Sequence, residues 1–141
     1  MKKWILCAVF IPFARWSGRP PISSSTTLVE VRTGAWPILL ERSIERFDTT
    51  FSLQFRDESV VNEVVMDTLP FTDIHQLRYF EKALSTLKTA NNGDIAKFKE
   101  YSIKRADKKY DGVWYILRYQ WGMTDFRQTE ADIMISTIKG L

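Results

Sequence analysis

The chain carries one short pattern twice, in the same order. Thr72-Asp73-Ile74-His75-Gln76 is matched by Thr124-Asp125-Phe126-Arg127-Gln128, and Ser85-Thr86-Leu87-Lys88 by Ser136-Thr137-Ile138-Lys139. Two matches separated by almost the same interval point to two related halves. Each half then carries a helix-start signal. An Asp before a helix accepts hydrogen bonds from first-turn amides, and a Gln three residues later can return one to the Asp amide.

Periodicity extends both helices. Ile74, Leu77, Phe80, Leu84 and Leu87 recur at steps of three and four, and Asn91-Asn92-Gly93 supplies a stop. Ala131, Met134, Ile135 and Ile138 make the second stripe, closed by Gly140. Strands are expected ahead of each helix. Phe51, Leu53 and Phe55 alternate with Ser52, Gln54 and Arg56, so one side is buried and one wet. Val60 to Leu69 fits a helical stripe too, but its valine density favours a strand. In the second half, Ala96 to Arg105 and Val113 to Met123 are read as two strands. The polar Asp107 to Gly112, ending in Asp-Gly, is the turn between them.

Halves of this size are too small to fold alone, so they are expected to share one core. The expected fold is α+β: two strand–strand–helix repeats, residues 46–93 and 94–141, forming one antiparallel sheet with both helices on one face. Residues 30–45 are a poorly defined lead-in. There, Thr27–Arg32 suggests a short strand, and Pro37 followed by Ile38, Leu39, Leu40, Ile44 and Phe47 suggests a helix with Pro at its first position.

Residues 1–29 read differently. Met1-Lys2-Lys3 precedes an apolar run from Trp4 to Ala14, broken by Pro12, and a Ser/Thr/Pro stretch follows from Ser17. That is the outline of a targeting signal, against the alternative of an extension without function. Export is expected if it is a signal, and a cytoplasmic location otherwise. No apolar stretch is long enough for a transmembrane helix. Lys2, Lys3, Arg15 and Arg19 meet no acidic residue in this segment, giving it +4 of a total of +3. Residues 30–94 carry seven basic and eleven acidic residues. The basic balance therefore does not belong to the first half of the domain.

Chemistry is sparse. The single cysteine, Cys7, forms no intrachain disulfide or thiol pair, and with one histidine no metal site or cofactor is expected. His75 falls on the polar side of the first helix, and its counterpart is Arg127, which fits a solvated position better than a catalytic base. The carboxylates Asp57, Glu58, Glu63 and Asp67, and Asp107 with Asp111, sit where solvated turns are expected. Acid–base work would need one of a pair buried with a raised pKa. The chain is expected not to be an enzyme.

What remains is a surface on the second hairpin. Val113, Tyr115, Leu117, Tyr119 and Trp121 share one side of a strand, and Trp114, Ile116, Arg118 and Gln120 the other. Beside it lie Lys97, Lys99, Lys104, Arg105, Lys108 and Lys109 against Glu100 and Asp107. Trp114, Tyr115, Tyr119 and Trp121 with Lys104, Arg105, Lys108 and Lys109 are the candidate binding residues. The expected function is a protein- or small-ligand-binding module using these side chains, since aromatic and Arg residues dominate interface energetics. The alternative is single-stranded nucleic-acid binding by stacking and phosphate contact.

Overall fold

The computed structural model describes residues 23–32, 34–120 and 122–141, and about half of these lie in strands. Of residues 1–29, read above as a targeting signal or an extension, residues 1–22 lie outside the described residues, whereas Ser23 to Val29 belong to the first strand rather than to a linker. Eight strands and two helices follow in the order β1 (Ser23–Arg32), β2 (Pro37–Glu45), β3 (Asp48–Arg56), β4 (Met66–Phe71), α1 (Ile74–Lys88), β5 (Ile95–Lys97), β6 (Tyr101–Lys108), β7 (Gly112–Tyr119), β8 (Gly122–Arg127) and α2 (Gln128–Lys139). They build two antiparallel four-stranded meanders, β1-β2-β3-β4 and β5-β6-β7-β8, each followed by a helix.

This corrects the single sheet with both helices on one face. The doubling of strands has two sources. Residues 23–45 form a full hairpin: Pro37 opens a strand, not a helix, because Ile38 and Leu40 are buried while Leu39 and Glu41 are only half-buried, a period of two. In the second half, each stretch read as one strand is a hairpin. Ala96 to Arg105 bends at Lys99-Glu100 between β5 and β6, and Val113 to Met123 bends between Tyr119 and Gly122. The Asp-Gly turn lies where expected, with Lys108 paired to Gly112 and Gly112 at φ 79°. Within Val60 to Leu69, only Met66 onward is strand. Residues 60–65 form a loop whose Val60 and Glu63 carbonyls accept from Arg56 Nη2 at 3.1 and 3.3 Å.

The helix stripes are as expected. Leu77, Phe80, Leu84 and Leu87 are buried in α1, joined by Ala83, while Ile74 is half-buried; Ala131, Met134, Ile135 and Ile138 are buried in α2. Phe80, Ala83, Leu84 and Leu87 correspond one for one with those four residues of α2. The helix starts do not correspond. Asp73 caps α1, its Oδ1 accepting from Gln76 N–H at 2.9 Å. In the second half Thr124 to Arg127 remains in β8, so Asp125 does not cap α2; the first-turn Glu130 instead accepts from the Arg127 amide at 3.0 Å. One five-residue pattern therefore takes two conformations, because β8 runs on for the length of a helical turn.

The helix pair is shared by the two sheets. Helix α1 packs on β3, β4, β5 and β6, and α2 on β1, β7 and β8. One core results, running from Val31, Leu40 and Leu53 of the first sheet through Phe80 and Met134 to Ile103, Tyr115 and Leu117 of the second. The sheets also meet directly where the chain leaves β3. Glu58 N–H donates to the Met123 carbonyl at 2.6 Å, and Met123 N–H donates to Asp57 Oδ1 at 3.1 Å.

Candidate functional site

The cross-strand register sorts every side chain of the second sheet. Residues opposite one another in an antiparallel pair point to the same side. Tyr115 pairs with Arg105 and Phe126, and Leu117 with Ile103 and Thr124, all on the helix-covered side. The opposite side carries Ile95 and Lys97 from β5; Ser102, Lys104, Ala106 and Lys108 from β6; Trp114, Ile116 and Arg118 from β7; and Met123, Asp125 and Arg127 from β8. Neither helix packs on this side.

Its charge is lopsided. Along the strands Lys97, Lys104, Lys108, Arg118 and Arg127 face one carboxylate, Asp125, with Asp111 reaching Arg127 from the adjoining turn, and all five cations are exposed. Half-buried Ile116 and Met123 and the exposed Ile95 lie between them. Lys108 Nζ approaches Asp125 only at 4.0 Å, with both side chains more than a third exposed, so this pair neutralises little in water.

The structure places the described candidate aromatics mostly away from the open surface. Tyr115 is fully buried and its hydroxyl donates to Gln128 Oε1; Tyr119 packs against the core cluster. Trp114 does lie on the open side but is only 7% exposed. Lys108 Nζ sits 3.7 Å from its ring centroid, the Arg127 guanidinium carbon 5.0 Å away, and Asp111 Oδ2 accepts its indole N–H at 3.2 Å. Cation–π attraction of this kind orders the two long side chains over the ring. Trp121 lies outside the described residues.

The cations also divide. Lys104 and Lys108 are on the open face. Lys109 is in the β6–β7 turn, its Nζ 5.1 Å from the Tyr110 ring centroid. Arg105 is on the covered side and is structural. Its Nη1 donates to the carbonyls of Leu87, Lys88 and Ala90 at 3.0, 2.8 and 2.9 Å, and its Nε to Asp107 Oδ1 at 2.8 Å. It thereby closes the C-terminal end of α1, where carbonyls lack helical partners. Sequence reasoning put Arg118 on one strand side with Trp114 without naming it a binding residue, and missed Arg127. Their period-two relation to Trp114 and the strand break at residues 120–121 would have placed them together.

Two of the carboxylates approach each other: a Cβ built on Gly122 would lie 3.5 Å from Asp57 Cγ and 3.1 Å from Asp67 Cγ. Asp57 is 5% exposed, but its Oδ1 accepts from the Ser59 hydroxyl at 2.6 Å, the Ser59 amide at 2.9 Å and the Met123 amide. These donors, the hydroxyl first, hold its pKa below the usual carboxylate range despite burial. It is an anion that fastens two sheets, not a proton donor. Asp107 pairs with Arg105, Asp111 with Arg127 at 3.6 Å, and His75 is exposed.

A cleft of about 180 Å³ lies where the sheets meet, lined by Trp36, Ile38, Arg56, Glu58, Trp114 and Asp125 among others. Arg56 lines it beside Glu58 and Asp125, and its Nη2 donates to the Val60 and Glu63 carbonyls. Compared with known proteins, the chain matches no family and no curated sequence.

Proposed function

We propose that this chain is a non-enzymatic binding module that engages an acidic protein partner through the open face of its second sheet. The observation that carries this reading is the face itself: five cations against two carboxylates, Asp125 and Asp111 of the adjoining turn, on a sheet side that neither described helix covers. Clustered charge of one sign steers an oppositely charged partner and fixes its register. The apolar Ile95, Ile116 and Met123 between the cations supply area that gains on leaving water. Contact thus runs through the second hairpin and its neighbours, with Lys104, Lys108, Arg118 and Arg127 as recognition residues and Trp114 as the platform that orders two of them.

The same charge favours single-stranded nucleic acid as a second reading. Such binding draws much of its affinity from bases stacking on aromatic rings. Trp114 is covered, and Tyr115 and Tyr119 face the core. Tyr110, in the adjoining turn and 90% exposed, is a described ring left for stacking beside the phosphate contacts.

A titration against two probes at about 50 and about 200 mM salt separates the readings. The probes are a fluorescein-labelled polyglutamate peptide and an oligothymidylate. The protein reading expects the peptide to bind and Lys104→Glu with Arg118→Glu to abolish binding. Preference for the oligothymidylate, with a steep salt slope, would favour nucleic acid.

A further inference from the structure

The second sheet ends in an open edge next to the charged face. Strand β5 pairs only with β6, and no described strand lies on its other side. Two hydrogen bonds fix how its backbone is turned. Phe98 N–H donates to the Tyr101 carbonyl and Arg105 N–H to the Asp94 carbonyl, both at 2.9 Å. In an antiparallel ladder alternate residues bond inward, so with Asp94 and Phe98 turned to β6, the N–H and C=O of Ile95 and Lys97 point away from the sheet. They form a row of unused donors and acceptors of the kind onto which another strand can pair.

That edge borders a groove of about 320 Å³ between β5 and α1. Tyr79, Lys82, Ala83, Thr86, Ala96 and Phe98 line it, and Tyr79 is 59% exposed. A strand laid along β5 would alternate its side chains. One set would drop into this groove; the other would emerge on the open face beside Lys97, with Lys104 one strand further in. The groove side is apolar in its floor with Lys82 at its rim, and the face side is cationic.

We propose that the acidic partner enters as an extended segment that pairs with the open edge of β5, its apolar side chains in the β5–α1 groove and its carboxylates on the open face. This rests on the acidic-partner reading above and specifies how the partner is held. Main-chain hydrogen bonds give the affinity, and the alternation of apolar and acidic side chains gives the specificity.

The test uses the full chain and a fluorescein-labelled peptide of about eight residues, an ordinary strand length, alternating valine with glutamate. Strand pairing predicts binding that falls at least about tenfold when alternate peptide amides are N-methylated, since each lost hydrogen bond in a drying interface weakens the complex. Lys97→Pro removes an outward N–H without touching the β5–β6 ladder. It is expected to reproduce that loss, while Lys97→Ala has a much smaller effect. If binding survives N-methylation and Lys97→Pro but is lost in Lys104→Glu with Arg118→Glu, strand pairing is overturned and the charged face stands. If the peptide does not bind, or an oligothymidylate binds in its place, both are overturned. The N-methylated peptide is tested on the unaltered chain, so the result holds even if the proline variant misfolds.

Discussion

The Met123 amide donates to the carboxylate of Asp57 at 3.1 Å, joining the residue after β3 in the first sheet to the start of the last strand of the second. Beside this bond Glu58 N–H donates to the Met123 carbonyl. The two meanders are thus held by shared helices on one side and by one buried anion at their junction. Removing Asp57 leaves the amides of Ser59 and Met123 without their acceptor. Asp57→Ala is expected to cost on the order of 3 kcal/mol, because buried donors lose a charged partner. Urea unfolding of the two proteins measures it; an unchanged midpoint would show that the junction contributes nothing.

The same carboxylate sets a pH dependence. Its folded pKa lies below the unfolded value, the Ser59 hydroxyl being the main cause. The sign follows from linkage: the stabilisation is complete above the ordinary carboxylate range of about 4 and is lost as pH falls through the folded pKa. Stability should therefore be flat from neutral pH down to about pH 5 and decline below about pH 4. Asp57→Asn should flatten that decline. Equal acid sensitivity in both proteins would assign it to other groups.

Gly122 sits against this junction. A Cβ built there would collide with Asp67 Oδ2 and lie 3.1 Å from its Cγ. Gly122→Ala must displace the Asp67 side chain and is expected to destabilise by about 1–3 kcal/mol, the usual cost of overpacking. Adding Asp67→Ala should recover part of that loss, and thermal unfolding of the single and double variants decides it.

Arg105 separates structure from binding. Its donors hold three carbonyls at the end of α1. Arg105→Lys keeps the charge but loses the planar fork that reaches them, so stability should fall by about 1–3 kcal/mol with little change in affinity for an acidic probe. Lys104→Ala should do the reverse. Affinity loss in Arg105→Lys at unchanged stability would contradict this division.

How much of this was legible in the sequence depends on which physical signal each segment carries. The stripes through Leu77–Leu87 and Ala131–Ile138 follow from helical period alone, and Phe51, Leu53 and Phe55 from alternation. The Asp111-Gly112 turn announced itself by its residues. The β2–β3, β5–β6 and β7–β8 turns carry no such residue at their centre. The β2–β3 turn uses Arg46 at φ 57°, the β7–β8 turn uses Gln120 at φ 47°, and the β5–β6 turn is Lys99-Glu100. Left-handed backbone is ordinarily left to Gly or Asn, so a strand through Tyr119–Gly122 looked unbroken and the sheet count was halved. The charged face was half legible for the same reason. Lys104 and Lys108 stand near Trp114 in the sequence, but Arg127 joins it only once β8 folds back. The role of Asp57 depends on Met123, far along the chain, and no local pattern contains it.

The central claim is that the open face of the second sheet recognises an acidic partner, and face-specific charge reversal tests it most directly. The affinity of the full chain for a fluorescein-labelled polyglutamate peptide would be measured for Lys104→Glu with Arg118→Glu and for a control, Arg46→Glu with Lys139→Glu. Both pairs change the net charge equally, but only the first lies on the face. The account predicts that binding disappears in the first and persists in the second. Equal losses in both would mean that overall charge, not this face, draws the probe, and would contradict it.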